Sequence, residues 1–212
     1  MAGSLFLGAT GCGGDEDKGG PREDYKVVAG TQLCGGNAIS ADAAKALKVI
    51  TGATRFEASG KRYTVAQGAT DFVEAFGNLT VYRGDICRIY TPRGTPDFDL
   101  RVTWTRIDEV ATSAPDPKFT VLKMGERSVA AADKAYIQFA CRSDKLAGSS
   151  GAGTHIDLGV QHWAVSEYPE DNVKALKNAY ATVAHSFSLA MAKELRCEKN
   201  GGLPAKPVLD PA

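Results

Sequence analysis

The chain reads as an α+β protein, an antiparallel sheet covered on one face by an N-terminal helix and a long C-terminal helix, with two pseudo-symmetric halves as a further expectation. Three observations predict this. Residues 100–107, 135–142 and 155–163 alternate apolar and polar side chains with a period of two, the pattern of a sheet dry on one face and wet on the other. Val173, Leu176, Tyr180, Val183, Phe187, Met191 and Leu195 advance by three or four, the apolar stripe of an amphipathic helix. Helical patterns lie at the two ends and strand patterns between them, which argues against an alternating strand–helix order and for helices gathered on one face.

The elements follow in chain order. Ser40 caps a first helix, Asp42 falls in its positive first turn, and Ala43, Ala46, Leu47 and Ile50 share one face. Gly52 suits the position just past its end. Strands are expected around 54–58 and 62–66, joined by the turn dipeptide Ser59-Gly60, with a short helix from Asp71 to Phe76. Residues 86–90 place Ile86, Arg88 and Tyr90 opposite Cys87 and Ile89. In the next strand Leu100, Val102 and Trp104 face one way, and Arg101, Thr103 and Thr105 the other.

Residues 111–118, with two prolines, read as a loop, and 119–123 as a strand. The strand at 135–142 turns Ile137, Phe139 and Cys141 to one side; the strand at 155–163 does so with Ile156, Leu158 and Val160. Between them, 147–154 is a low-complexity loop of glycine, serine and alanine. Pro169-Glu170-Asp171 introduces a final helix of about 25 residues, long by the usual standard, which Gly201-Gly202 stop.

The 212 residues suit a single folded unit, and 43% apolar with 24% charged residues is ordinary for a protein that buries a core. Formal charge is zero but uneven: residues 13–24 hold five acids against Lys18 and Arg22. The mild basic surplus of the remainder is too small for a nucleic-acid footprint. Nor does the folded part contain an apolar run of the roughly 18 residues that a membrane helix needs.

The start of the chain carries the strongest signal. Residues 2–11 are small or apolar, as in the core and cleavage region of a secretory signal, and they end at Gly11-Cys12. Residues 13–24 offer nothing to bury, the composition of a flexible tether. We therefore expect a lipoprotein signal over 1–12 with lipidation at Cys12, a tether over 13–30, one disulfide-bonded domain over 31–201 and a tail over 202–212. Because no Lys or Arg precedes the apolar run, the translated start is expected upstream of Met1.

With Cys12 assigned to lipid, Cys34, Cys87, Cys141 and Cys197 form an even set, which in an exported protein reads as two disulfides. Four cysteines allow three connectivities. The sequential pairing Cys34 with Cys87 and Cys141 with Cys197 is favoured, since each bridge would clip a helix to a strand of its own half. No CxxC pair and no Cys/His cluster stands at zinc spacing, so neither a metal nor a cofactor is expected.

Candidate chemistry is thin. His155 and His162 sit seven apart on one strand, and an odd separation puts them on opposite faces. His185 lies off the centre of the helix stripe and reads as a surface residue. Gly148-Ser-Ser-Gly151 lacks the strand–turn–helix setting of a hydrolase nucleophile. The acid pairs Asp97/Asp99 and Asp108/Glu109 fall at strand ends and loops, and Asn78-Leu-Thr80 matches a glycosylation sequon. Trp104 belongs to the apolar face; Trp163 shares the polar face of Asp157, Gly159 and Gln161 and is a candidate exposed contact.

Three segments, Leu7-Gly-Ala-Thr-Gly-Cys-Gly-Gly-Asp15, Leu33-Cys34 ahead of Ser40-Ala-Asp42, and Ala192-Lys-Glu-Leu-Arg-Cys197, give the chain its family likeness. It resembles the secreted lipoproteins of actinobacteria, Streptomyces-like, whose function is unknown. The resemblance implies a secreted, disulfide-bonded, membrane-tethered domain and carries over no catalytic residue. The expected function is a non-enzymatic binding or accessory module of the cell envelope, anchored at the outer face of the membrane. Its partner would be an envelope protein, peptide or small ligand. The alternative is a hydrolase-like envelope enzyme with scattered active-site residues.

Overall fold

Alternating side chains sort onto the two faces of one antiparallel sheet in the computed structural model of the protein, which describes residues 26–77, 81–146, 153–163 and 169–212. The chain runs β1 (Val27–Ala29), a 3-10 turn (Gly30–Gly35), α1 (Ala41–Thr51), β2 (Arg55–Glu57), α2 (Val65–Phe76), β3 (Arg83–Tyr90) and β4 (Asp99–Ile107). It continues through β5 (Thr120–Leu122), β6 (Arg127–Ala130), β7 (Lys134–Cys141), β8 (Thr154–His162) and α3 (Val173–Glu194) to a last 3-10 turn at Glu198–Gly202. β1 and β2 pair as a small ribbon; the other six strands form one sheet in the order β3-β4-β8-β7-β6-β5, every neighbour antiparallel. The α+β class read from the sequence is the class observed. β8, late in the chain, sits between β4 and β7, so one sheet runs through both halves.

Burial explains which face is covered. Leu100, Val102 and Trp104 of β4, Ile137, Phe139 and Cys141 of β7, and Ile156, Leu158 and Val160 of β8 are all buried. Register sets them side by side, Val102 beside Val160 and Ile137 beside Leu158. α3 lies across β6, β7 and β8, and α2 lies against β3. The N-terminal helix, expected on the sheet, instead packs on α3 as a third layer. Its caps are those expected: Ser40 Oγ accepts the Ala43 N–H at 3.1 Å, and Gly52, at φ 73°, donates its N–H to Lys48. Ser186 joins the layers, its Oγ accepting the Ser40 N–H at 2.9 Å and donating to the Ala38 carbonyl at 2.8 Å.

Several expectations are corrected. Residues 62–66 are not a strand paired through Ser59-Gly60; β2 pairs with β1, and α2 begins at Val65. Thr64 is its N-cap, accepting the Gln67 N–H at 3.1 Å, and Val65, Ala69, Phe72 and Ala75 form a helical buried face that a two-residue alternation mimics locally. Ile86 does not share a face with Arg88 and Tyr90. A bulge between Asp85 and Cys87 lets Ile86 and Cys87 both turn inward. β6 is a strand that the sequence reading missed.

His185 is not a surface residue. It is buried, and its Nε2 hydrogen-bonds the Pro204 carbonyl at 2.8 Å, because the chain after the last 3-10 turn returns against this flank of α3. Desolvation lowers the pKa of this imidazole and the Pro204 carbonyl opposes that shift, so the neutral ring is favoured. α3 ends at Glu194, before Gly201, and Arg196 takes a left-handed turn at φ 57°. The fold also begins earlier and ends later than 31–201. Val28 is buried, Leu203 is buried, and Leu122 bridges Pro211 while the Ala212 N–H reaches the Val121 carbonyl.

Two disulfides close the fold, Cys34 to Cys87 and Cys141 to Cys197, the sequential pairing. The first ties the N-terminal 3-10 turn to β3 and the second ties the end of β7 to the residues after α3. Bridges of this kind belong to an oxidising, extracytoplasmic compartment. Among the described residues, no helix is long and apolar enough to cross a membrane.

One position shows how closely the parts approach. Trp104 is buried and meets Phe72 edge-on at 5.1 Å, and its indole lies over Gly84 on the next strand. A Cβ at residue 84 would stand 2.6 Å from two ring carbons. Gly84→Ala is expected to lower the unfolding free energy by about 1–3 kcal/mol through overpacking, read by urea denaturation; an unchanged midpoint would mean that the indole has room to move.

Candidate functional site

The face of the sheet turned away from α3 is built from the polar half of each alternation, and register arranges it in rows. Arg88, Arg101, Gln161 and Lys134 form one cross-strand row, and Asp85, Thr103, Gly159, Tyr136 and Val129 the next. The third runs Arg83, Thr105, Asp157, Gln138 and Arg127. Arg101, Thr103 and Thr105, expected on the wet side of their strand, share this face, but Thr103 is buried there while Arg101 and Thr105 are partly exposed. The rows themselves need strand order, which no local pattern contains.

At the β3 end of this face lies an open groove of about 1030 Å³, bounded on one side by α2 and the residues before it. Its fixed element is Asp85. The carboxylate receives Arg101 Nε at 2.7 Å and Arg88 Nη2 at 3.1 Å. Burial pulls the Asp85 pKa up, but the hydrogen bonds and charges of Arg101 and Arg88 outweigh it and hold the group below the ordinary carboxylate range. Arg101 in turn lies over the Trp163 indole, 4.6 Å from its centre. The Trp163 N–H is bonded to the Asp99 carbonyl at 2.9 Å, which fixes the backbone at the strand's end.

The groove gathers exposed apolar groups. Among the described residues, Val49, Val81, Tyr82, Tyr90 and Trp163 are the large apolar side chains left exposed, and three of the five, Val81, Tyr82 and Trp163, line it. Tyr82 is 60% and Trp163 46% exposed, values high enough that a ligand could cover both rings. Arg62 and Arg83 also line the groove and make no ion pair with a described residue. On α2, Gln67 Nε2 donates to Asp71 Oδ1 at 2.8 Å at the rim.

A carboxylate held between two guanidiniums is a poor base, and what the groove presents to a ligand is guanidinium groups and exposed aromatic faces. The other expected positions lie elsewhere. His155 Nδ1 meets Glu126 Oε2 at 2.7 Å, whereas His162 stacks on Phe98 with centroids 3.9 Å apart. Asp99, whose pKa burial raises, is the half-buried member of the pair Asp97/Asp99. Cys12, Asn78-Leu-Thr80 and Gly148-Ser-Ser-Gly151 lie outside the described residues. No group of three or more His, Cys, Asp or Glu among the described residues could hold a metal ion. The residues missed in the sequence are Asp85, Arg88, Arg62 and Tyr82; the bulge after Asp85 breaks the alternation that would have placed it with Arg101.

No family model, no curated protein and no solved structure matches the chain.

Proposed function

We propose that the protein is a non-enzymatic binding or accessory module of the cell envelope, lipid-anchored at Cys12 to the outer face of the membrane, that holds its ligand in the groove beside β3. The observation that carries this reading is the gathering of Val81, Tyr82 and Trp163 around the Arg101–Asp85 pair. Exposed large side chains that would otherwise cost solvation are concentrated at one concave place, which is the usual mark of a contact site. The uncommitted guanidiniums of Arg62 and Arg83 favour a ligand carrying carboxylate or phosphate groups, and the aromatic rings favour one with apolar faces to stack. The disulfides support the compartment, and the Gly11-Cys12 signal followed by the charged tether supports the anchor.

Two measurements test this. Cys12→Ala is expected to move the protein from the membrane fraction to the medium or the soluble periplasmic fraction in the native host; retention in the membrane would sink the anchor. A photo-crosslinking residue at Tyr82 is expected to trap an envelope component in intact cells, while one at Val49, exposed on α1, traps none. Equal trapping at both positions, or none at Tyr82, removes the groove from the proposal.

A further inference from the structure

A second cavity, of about 300 Å³, lies at the other end of the open face, between the sheet and the loop through Pro115, Asp116 and Phe119. The sheet side is formed by Tyr136 and Gln138 of β7 and Asp157 of β8. Gln138 and Asp157 are direct cross-strand partners, and the Gln138 side chain favours the ionised form of the carboxylate. Two oxygens are left over: Asp157 Oδ1 and Gln138 Oε1 are buried and have no hydrogen-bond partner. Buried acceptors without donors are costly, and native proteins leave few of them.

The surrounding groups say what kind of donor is missing. Phe119 and Tyr136 present two rings, tilted by 55° with centroids 6.3 Å apart. The Tyr136 hydroxyl is committed to Gln161 Oε1 at 3.1 Å, so its ring face is what remains. Arg127, the cation on β6 beside this pair, is also committed: Nη1 donates to the Ala111 carbonyl at 2.6 Å and Nη2 to the Ser113 carbonyl at 2.9 Å. On the loop, Lys118 Nζ stands 4.0 Å from Asp116 Oδ2 and 5.6 Å from the centre of the Phe119 ring. On the other side of Asp157 stands the neutral Thr105 of β4, with Arg83 of β3 one strand further on. An anionic ligand would bring further acceptors to a place that already has two too many.

We propose that this cavity binds a small organic cation, a primary ammonium on an apolar stem, with its N–H groups taken by Asp157 Oδ1 and Gln138 Oε1 and its stem against Phe119 and Tyr136. Aromatic faces and a desolvated carboxylate together are what such a cation seeks. The volume admits about ten water-sized groups, enough for an ammonium and a six-carbon stem. Burial pushes the Asp157 carboxyl up to about 6 against the opposing effect of Gln138 and Arg127, so at neutral pH it carries a charge that the fold leaves incompletely matched. The site is separate from the groove beside β3 and does not depend on what that groove binds.

Benzylammonium is the probe and benzyl alcohol its uncharged counterpart, each titrated into the oxidised protein at pH 7.5 and followed by amide chemical shifts. Saturable binding of benzylammonium is expected, with shifts at Phe119, Tyr136 and Asp157, and at least about tenfold weaker binding of the alcohol, a difference of about 1.4 kcal/mol. Asp157→Asn is expected to abolish that preference, and Phe119→Ala to weaken the cation while leaving the carboxylate in place. Equal affinity for the two probes, no saturation by roughly 10 mM, or an undiminished preference for the cation in Asp157→Asn would each overturn the proposal. If one variant fails to fold, the comparison of the two probes on the unaltered protein still decides.

Discussion

Cys141→Ala with Cys197→Ala is expected to lower the unfolding free energy by about 4 kcal/mol, the chain-entropy value for a loop of this length. The two cysteines are 56 residues apart, and their bridge is the covalent link between β7 and the chain leaving α3. Alanine is the suitable replacement because Cys141 is fully buried and Cys197 nearly so, where a serine hydroxyl would need a partner. Hydrogen bonds remain to hold the junction: Ser143 Oγ donates to the Leu195 carbonyl, and the Glu198 N–H to the Arg142 carbonyl at 2.9 Å. The native arrangement should therefore persist in the variant while its unfolded chain gains freedom. Urea denaturation followed by far-ultraviolet circular dichroism checks this; a loss below about 1 kcal/mol would mean that the denatured chain is already compact without the bridge.

Asp157→Asn should act in the opposite direction, and only in part of the pH range. The folded protein holds this carboxyl with a pKa of about 6, against an ordinary value of 3.8, chiefly through desolvation. The folded state therefore binds the Asp157 proton more tightly than the unfolded chain does. Its stabilising contribution is complete below pH 3.8 and is lost as pH rises through about 6. Above that, keeping the charge in place costs about 3 kcal/mol, taking 1.36 kcal/mol for each pH unit between the two values. Asparagine cannot ionise, so the variant should be more stable than the parent by up to about 3 kcal/mol at pH 8. The difference should shrink toward zero near pH 4. Parallel urea titrations at the two pH values measure it, and a pH-independent difference would contradict the assignment of the shift to Asp157.

Elements whose signal is local were legible in the sequence. Ser40 and Gly52 bound α1 because capping chemistry acts within one turn, and β4, β7 and β8 announce themselves because each is long enough to repeat its alternation. Residues 62–66 misled because Thr64, a helix cap, precedes Val65 in a run that also alternates. β6 was missed because four residues give the pattern no room to repeat. His185 shows a different limit: helix periodicity identifies the face turned to the sheet, but the chain around Pro204, arriving after the helix, reaches the opposite flank. Of the candidate site, Trp163 was visible as an aromatic on a polar face. Arg101 was visible only as part of that face, and Asp85, Arg62 and Tyr82 came together through long-range pairing and a bulge.

The position of α3 between the sheet and α1 sets an order of amide exchange. Its segment from Ala179 to Ser188 is buried without interruption, so those N–H groups exchange with deuterium only when the whole molecule opens. α1 has α3 as its main packing partner and leaves Val49 and Lys48 in water, so it has an easier route out. Beyond that packing it touches the 3-10 turn at Gly30–Gly35, and the residues before it are held by the two Ser186 hydrogen bonds and the Cys34 bridge. α1 is thus expected to open separately: in a deuterium-exchange time course its amides should gain label before those of α3.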